Sequence, residues 1–265
     1  MNDNGYDISN YLTINEQFGT LEDFKVLVKE AHRRDIKVMM DIVINHTSTE
    51  HQWFKKAIQS KDSPYRDYYF FRHSEDGPPT NWESKFGGNA WQYDEKSDDY
   101  YLHLFDVTQA DLNWDNPEVR QALYQIVNYW IDFGVDGFRF DVINLISKGE
   151  FKDSDKIGKE FYTDGPKVHE YLHELNQHTF GNKNMMTVGE MSSTTIDHCI
   201  KYSNPERKEL SSVFNFHHLK VDYPDGEKWA KGSMDFQQLK KILMDWQLGI
   251  YEGGGWNAVS YTHLR

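Results

Sequence analysis

The stretch Thr20–Asn45, TLEDFKVLVKEAHRRDIKVMMDIVIN, carries the first legible unit of the fold. Thr20-Leu21-Glu22-Asp23 has the form of a helix start, where a hydroxyl and a carboxylate three residues apart satisfy free N–H groups. Leu21, Phe24, Leu27, Val28 and Ala31 then recur at helical spacing. Ile36 to Asn45 follows as an almost unbroken apolar run, the pattern of a parallel strand covered on both faces. An amphipathic helix therefore leads into a buried strand.

The same step recurs downstream. Pro117 opens a second helix, Val119, Leu123, Ile126, Val127 and Trp130 form its apolar stripe, and Gly134 is placed to end it. Val135 to Val142 reads as the next strand. Pro166 to Phe180 is a third helix leading to the strand Met185 to Met191, and Ser212 to His218 reads as a strand before the helix Asp235 to Trp246. Repeated helix-then-strand order predicts an α/β fold with a parallel sheet, either a barrel or a doubly wound sheet.

From Thr47 to Trp114 the rhythm breaks into aromatics, Gly and Pro over a span too long for an ordinary loop. This predicts a small subdomain, with Trp53, Phe54, Tyr65, Tyr68, Tyr69, Trp82, Phe86 and Trp91 available to pack a core.

Composition narrows the function classes. The net charge of −13 disfavours nucleic acid and anionic membranes as partners. No apolar run is long enough to span a bilayer, and the polar start Met1-Asn2-Asp3-Asn4-Gly5 is unlike a signal peptide, so a cytoplasmic location is expected. The single cysteine, Cys199, reads as a small buried side chain.

Three predicted strands end in polar or charged groups: Asp41 to His46, Arg139-Phe140-Asp141, and Gly189-Glu190. Arg139 and Asp141 share a face, where the guanidinium would keep the carboxylate ionised. An ionised carboxylate on one strand and a second carboxyl on the next is the pair that glycoside hydrolysis requires. The same spacing also fits a structural ion pair.

Asp41-Ile42-Val43-Ile44-Asn45-His46, Gly137-Phe138-Arg139-Phe140-Asp141 and Val188-Gly189-Glu190 resemble successive signature segments of the α-amylase superfamily. Gln109-Ala110-Asp111-Leu112-Asn113 is similar to the additional segment of its oligo-1,6-glucosidase branch, and Asn4-Gly5-Tyr6-Asp7 to the loop after the second strand. The resemblance implies a partial (β/α)8 TIM barrel with a small subdomain inserted after the third strand. Residues 1–46 and 115–258 would be barrel and 47–114 the insertion. It further implies that Asp141 is the nucleophile and Glu190 the general acid, then base. Asp3, Tyr6, His46, Phe86 and Arg139 would surround the transferred glucose, while Asp41 and Asn45 support the loop.

Gly189 to Thr195 and Phe214 to Pro224 most closely resemble the branch that hydrolyses trehalose 6-phosphate, and Val142 resembles branches acting on bonds other than α-1,4. A phosphorylated disaccharide is the expected substrate. His217, His218, Lys220 and Lys228 place potential cations close together in an acidic chain, as a dianionic phosphate requires; a solvated loop with a core His fits the same residues. Read as neighbours on a strand, His217 and His218 point to opposite faces, so neither a metal nor a cofactor is expected.

The family pattern supplies a third carboxylate beyond Ala258, where this chain instead reads VSYTHLR over 259–265, a stretch resembling no part of the family and expected to be a non-native tail. This stretch of chain is therefore expected to be inactive alone. Two other readings compete: an oligo-1,6-glucosidase or α-glucosidase, and a non-catalytic glucosidase-like subunit of amino-acid transporters. The latter proteins carry a membrane span and lack the catalytic carboxylates.

Overall fold

The computed structural model describes residues 2–223 and 231–258. Helix α1 (Leu21–His32) begins with a reciprocal cap: Asp23 N–H donates to the Thr20 hydroxyl (3.2 Å) and Thr20 N–H to the Asp23 carboxylate (2.8 Å). Strand β1 (Met39–Ile42) follows and is shorter than the apolar run. Met39 and Ile36 are 42% and 56% exposed, against the expectation of a strand covered on both faces. The cause is position: among the described residues β1 pairs only with the strand after the second long helix.

The chain between these elements runs antiparallel. Strand β2 (His46–Ser48) leads to α2 (Gln52–Ala57), then to β3 (Phe71–Arg72), β4 (Trp91–Asp94), β5 (Asp99–Leu102) and β6 (Gln109–Asp111). Strands β3, β5 and β4 form one small sheet, and β2 pairs with β6. Phe54, Tyr69, Trp82 and Trp91 are buried as expected, whereas Phe86 is 60% exposed and belongs to no core. These aromatics do not pack a private core. Trp82 lies against Phe161 (6.0 Å) and Tyr162 (5.7 Å), far along the chain.

Helix α3 (Pro117–Phe133) has the Asn116 side chain accepting from Glu118 N–H at 2.9 Å and ends at Gly134, whose φ of 110° lies where L side chains are strained. The sheet continues through β7 (Gly137–Phe140), α4 (Lys159–Tyr162), α5 (Val168–His178), β8 (Met186–Met191), α6 (Ile196–Ser203), β9 (Ser212–Asn215) and α7 (Phe236–Glu252). Strand order is β1-β7-β8-β9, and every neighbour pair is parallel. Phe138 and Phe140 are fully buried, the latter 5.7 Å from Phe180, so Arg139 emerges on the opposite face. Cys199 is buried, which pushes its thiol pKa up to about 12. Among the described residues, no helix is long and apolar enough to cross a membrane.

Strand β9 stops at Asn215, three residues before the expected end at His218. The Asn215 side-chain oxygen accepts from His217 N–H (3.1 Å), and His217–Lys220 forms a 3-10 turn. The two histidines therefore do not alternate across a strand.

Candidate active site

Asp141 stands one residue past β7. Its N–H donates to Ile42 O (3.1 Å), extending the β1–β7 ladder and fixing the residue beside Asp41. The next residue, Val142, has φ 37°, a left-handed conformation that costs a β-branched residue energy. Burial of Val142, Ile143 and Leu145 holds this turn, which takes the chain off the sheet directly after the carboxylate. On β8, Glu190 sits opposite Phe214 of β9. A Cβ on the preceding Gly189 would meet Leu210 and Met191 at 2.6 and 2.5 Å, so those side-chain ends close over the strand where glycine leaves room.

One guanidinium joins the strand ends. Arg139 Nη1 donates to Asp141 Oδ1 at 2.6 Å and to both oxygens of Asp41 at 2.9 Å, while Nη2 pairs with Glu190. Burial raises the pKa of Asp41 against the pull of Arg139. Burial alone would lower that of Arg139, yet Asp141 and Asp41 hold it above its ordinary value. Three carboxylates gather around one permanent cation, two at the β1 and β7 ends and one on β8. Asp41 is thus in direct contact with the site, a closer role than the loop support expected of it.

The loop before α1 brings two further residues. Asp7 accepts from the N–H groups of Asn2 (2.9 Å) and Asp3 (3.1 Å), and Tyr6 N–H donates to Asp3 O (2.7 Å). The turn aims the Tyr6 ring at Arg139, 5.7 Å away, and its hydroxyl at Asp41 Oδ2 (3.4 Å). His46 is buried and its pKa lowered by that burial, so the ring is neutral. Nε2 lies 3.0 Å from Tyr6 O, and Asn45 Nδ2 lies 3.2 Å from Nδ1, which favours the Nε2–H tautomer. Gln109 Nε2 reaches Asp3 Oδ2 (3.0 Å) and Tyr6 O (3.1 Å), tying the loop to β6. Nothing local in the sequence marks Gln109 for this contact, since Asp3 and Tyr6 lie more than a hundred residues away.

Phe86 stands apart from the carboxylates. Its ring meets Phe105 edge-on at 5.7 Å, and Phe105 lies 5.2 Å from His46, which puts Phe86 on the rim. Behind the pocket, Asn45 Nδ2 donates to Asp111 Oδ1 (2.8 Å) and its Oδ1 accepts from Lys148 Nζ (3.0 Å). Lys148 also lies 3.7 Å from Asp111, with both side chains buried. Nothing local in the sequence marks Lys148, because its partners lie on distant segments.

The cationic residues after β9 are less charged than their types suggest. His217 stacks on Trp246 (4.4 Å), and burial, then Lys220 and His218, push its pKa down to about 4. Burial lowers that of His218 as well. At neutral pH both rings are uncharged donors, so of this set only Lys220 is a cation among the described residues. Lys228 lies outside them. Phe214 connects this end to the site, its ring 5.7 Å from the Arg139 guanidinium.

Residues 1–263 match the family model for the alpha amylase catalytic domain. The trehalose-6-phosphate hydrolase of Bacillus subtilis (strain 168) is 61% identical over 98% of this chain and 47% of its own length. The oligo-1,6-glucosidase of Parageobacillus thermoglucosidasius is 48% identical over 97% of this chain and 47% of its own. A crystal structure of a mutant Bacillus licheniformis trehalose-6-phosphate hydrolase (TreA) in complex with PNG superposes with a TM-score of 0.97 at 58% identity, covering 98% of this chain and 48% of that one. The chain spans about half the length of the curated relatives it matches. Its parallel sheet and outer helices are accordingly part of a TIM barrel, which resolves the choice between barrel and doubly wound sheet.

Proposed function

The chain belongs to the alpha-amylase family, and from that premise we propose that its protein is a retaining α-glycoside hydrolase that cleaves trehalose 6-phosphate into glucose and glucose 6-phosphate. Asp141 attacks the anomeric carbon while Glu190 protonates the leaving oxygen; Glu190 then takes a proton from the water that releases the glucosyl group. Arg139 holds and aims Asp141. Asp3 and His46 bind sugar hydroxyls, Tyr6 offers a stacking face and Phe86 covers the rim. His217, His218 and Lys220 face the phosphate. The observation that carries this reading is one guanidinium shared by Asp141 and Glu190 at adjacent strand ends.

The choice of substrate is supported by the 61% identity to the Bacillus subtilis hydrolase. A cytoplasmic location belongs to the same reading, since a sugar phosphate does not cross bilayers unaided. A second reading, an oligo-1,6-glucosidase, is favoured by the 48% identity to one such enzyme and by the neutral state of His217. Comparing kcat/KM of the full-length protein on trehalose 6-phosphate and isomaltose separates them: preference for isomaltose overturns the first. The present chain alone is expected to show no turnover. Among the described residues β1 is an open edge of the sheet, and the inward-facing Met39 and Met186 are 42% and 51% exposed.

A further inference from the structure

Lys85 lies in the loop between Ser84 and Gly88. Lys85 N–H donates to Leu104 O (2.8 Å), and the Ser84 hydroxyl donates to Phe105 O (2.6 Å). Since Phe105 also packs on His46, this loop borders the sugar pocket. The Lys85 ammonium is directed to α4, where it lies 4.9 Å above the ring of Tyr162. Lys159 is the first residue of that helix.

Among the described residues, no carboxylate pairs with the ammonium of Lys85, Lys159 or Lys220, whereas Lys61, Lys148 and Lys167 each have an acidic partner. Lys85 is half-buried. Burial, then the positive charges of Lys159 and Lys220, push its pKa down to about 8. Partial desolvation and Lys159 lower that of Lys220 too. Three mutually repelling ammonium groups without an anion are unfavourable in the free protein, and a dianion placed among them reverses the sign of every interaction. The cluster is local, for the chain as a whole carries a net charge of −13.

Its position suits the proposed substrate. Lys220 lies in the turn after β9, the strand paired with Glu190, and the Lys85 loop borders His46. In a 6-phosphorylated disaccharide the phosphate is carried one sugar ring away from the bond cleaved. We propose that Lys85 and Lys159 join Lys220 as the seat of the substrate phosphate, making Lys85 a specificity-determining residue that no motif in the chain announces. This inference rests on the phosphodisaccharide reading above.

The test uses the full-length protein and two substrates, trehalose 6-phosphate and the uncharged 4-nitrophenyl α-glucoside. For Lys85→Gln, the ratio of kcat/KM on the first to kcat/KM on the second is expected to fall about tenfold, chiefly through KM, as loss of one charged contact implies. Lys85→Arg should restore most of the ratio. Lys159 is exposed, so Lys159→Gln carries the test if the Lys85 variant does not fold; its expected fall is about threefold. An equal loss on both substrates, or an unchanged ratio, overturns the seat. If the unaltered protein shows no preference for the phosphorylated substrate, the functional reading fails and the seat fails with it. If that preference is present and both substitutions leave it intact, only the seat fails.

Discussion

Arg139 Nη1 lies 2.6 Å from Asp141 Oδ1, across a single i, i+2 step at the end of β7. The same guanidinium holds Asp41 and Glu190, so its planar fork meets three carboxylates that a point-charge ammonium cannot serve together. Arg139→Lys in the full-length protein is therefore expected to lower kcat about 100-fold or more, with KM changing less. Steady-state kinetics on trehalose 6-phosphate checks this. A kcat within a few-fold of the unaltered protein would show that Asp141 is oriented by other means.

Lys148 and Asp111 test the wall behind the site. Both side chains are buried, at 1% and 0% exposure, and join β6 to the segment after β7. Lys148→Met leaves the Asp111 charge without its cation and should destabilise the protein by about 3–5 kcal/mol. Adding Asp111→Asn should recover part of that loss. Chemical denaturation of the single and double variants measures the coupling, and strict additivity would contradict it.

Phe86 separates binding from packing. At 60% exposure it contributes little to any core, so Phe86→Ala should change stability by no more than about 0.5 kcal/mol. KM on trehalose 6-phosphate should nevertheless rise several-fold, because the ring covers the rim. A large drop in melting temperature would assign Phe86 a structural role instead.

His217 predicts a pH dependence. Its folded-state pKa lies at about 4, below the ordinary 6.5, because burial and then Lys220 and His218 disfavour the charged ring. Between those values the unfolded chain binds the proton more readily. His217 therefore contributes stability that is present above pH 6.5 and lost as pH falls toward about 4. His217→Phe keeps an aromatic ring against Trp246 and removes the titration. Its melting temperature should fall less steeply over that interval, and parallel curves would contradict the assignment.

What was legible in the sequence follows from the range of the interactions. The capped start of α1, the Pro117 start and Gly134 stop of α3, and the polar ends of β1, β7 and β8 are written in local patterns and were readable. The extent of β1 was not, since an edge position depends on which strands stand beside it. The turn at His217–Lys220 is hidden within a strand-like run, although Asn215, two residues before His217, is the side chain that closes it. Gln109, Lys148 and Lys85 are silent in the sequence for another reason. Each meets its partners across long sequence separations, and only the folded chain brings them together.

The central claim is that Asp141 is the nucleophile and Glu190 its acid/base partner. Its most direct test is peptide mass spectrometry of the full-length Glu190→Gln protein after reaction with an activated α-glucosyl fluoride. The variant should form the glucosyl–enzyme intermediate and resolve it slowly. The account predicts a glucosyl ester on the peptide containing Asp141. An adduct on another residue, or a first-formed product of inverted anomeric configuration, would contradict it.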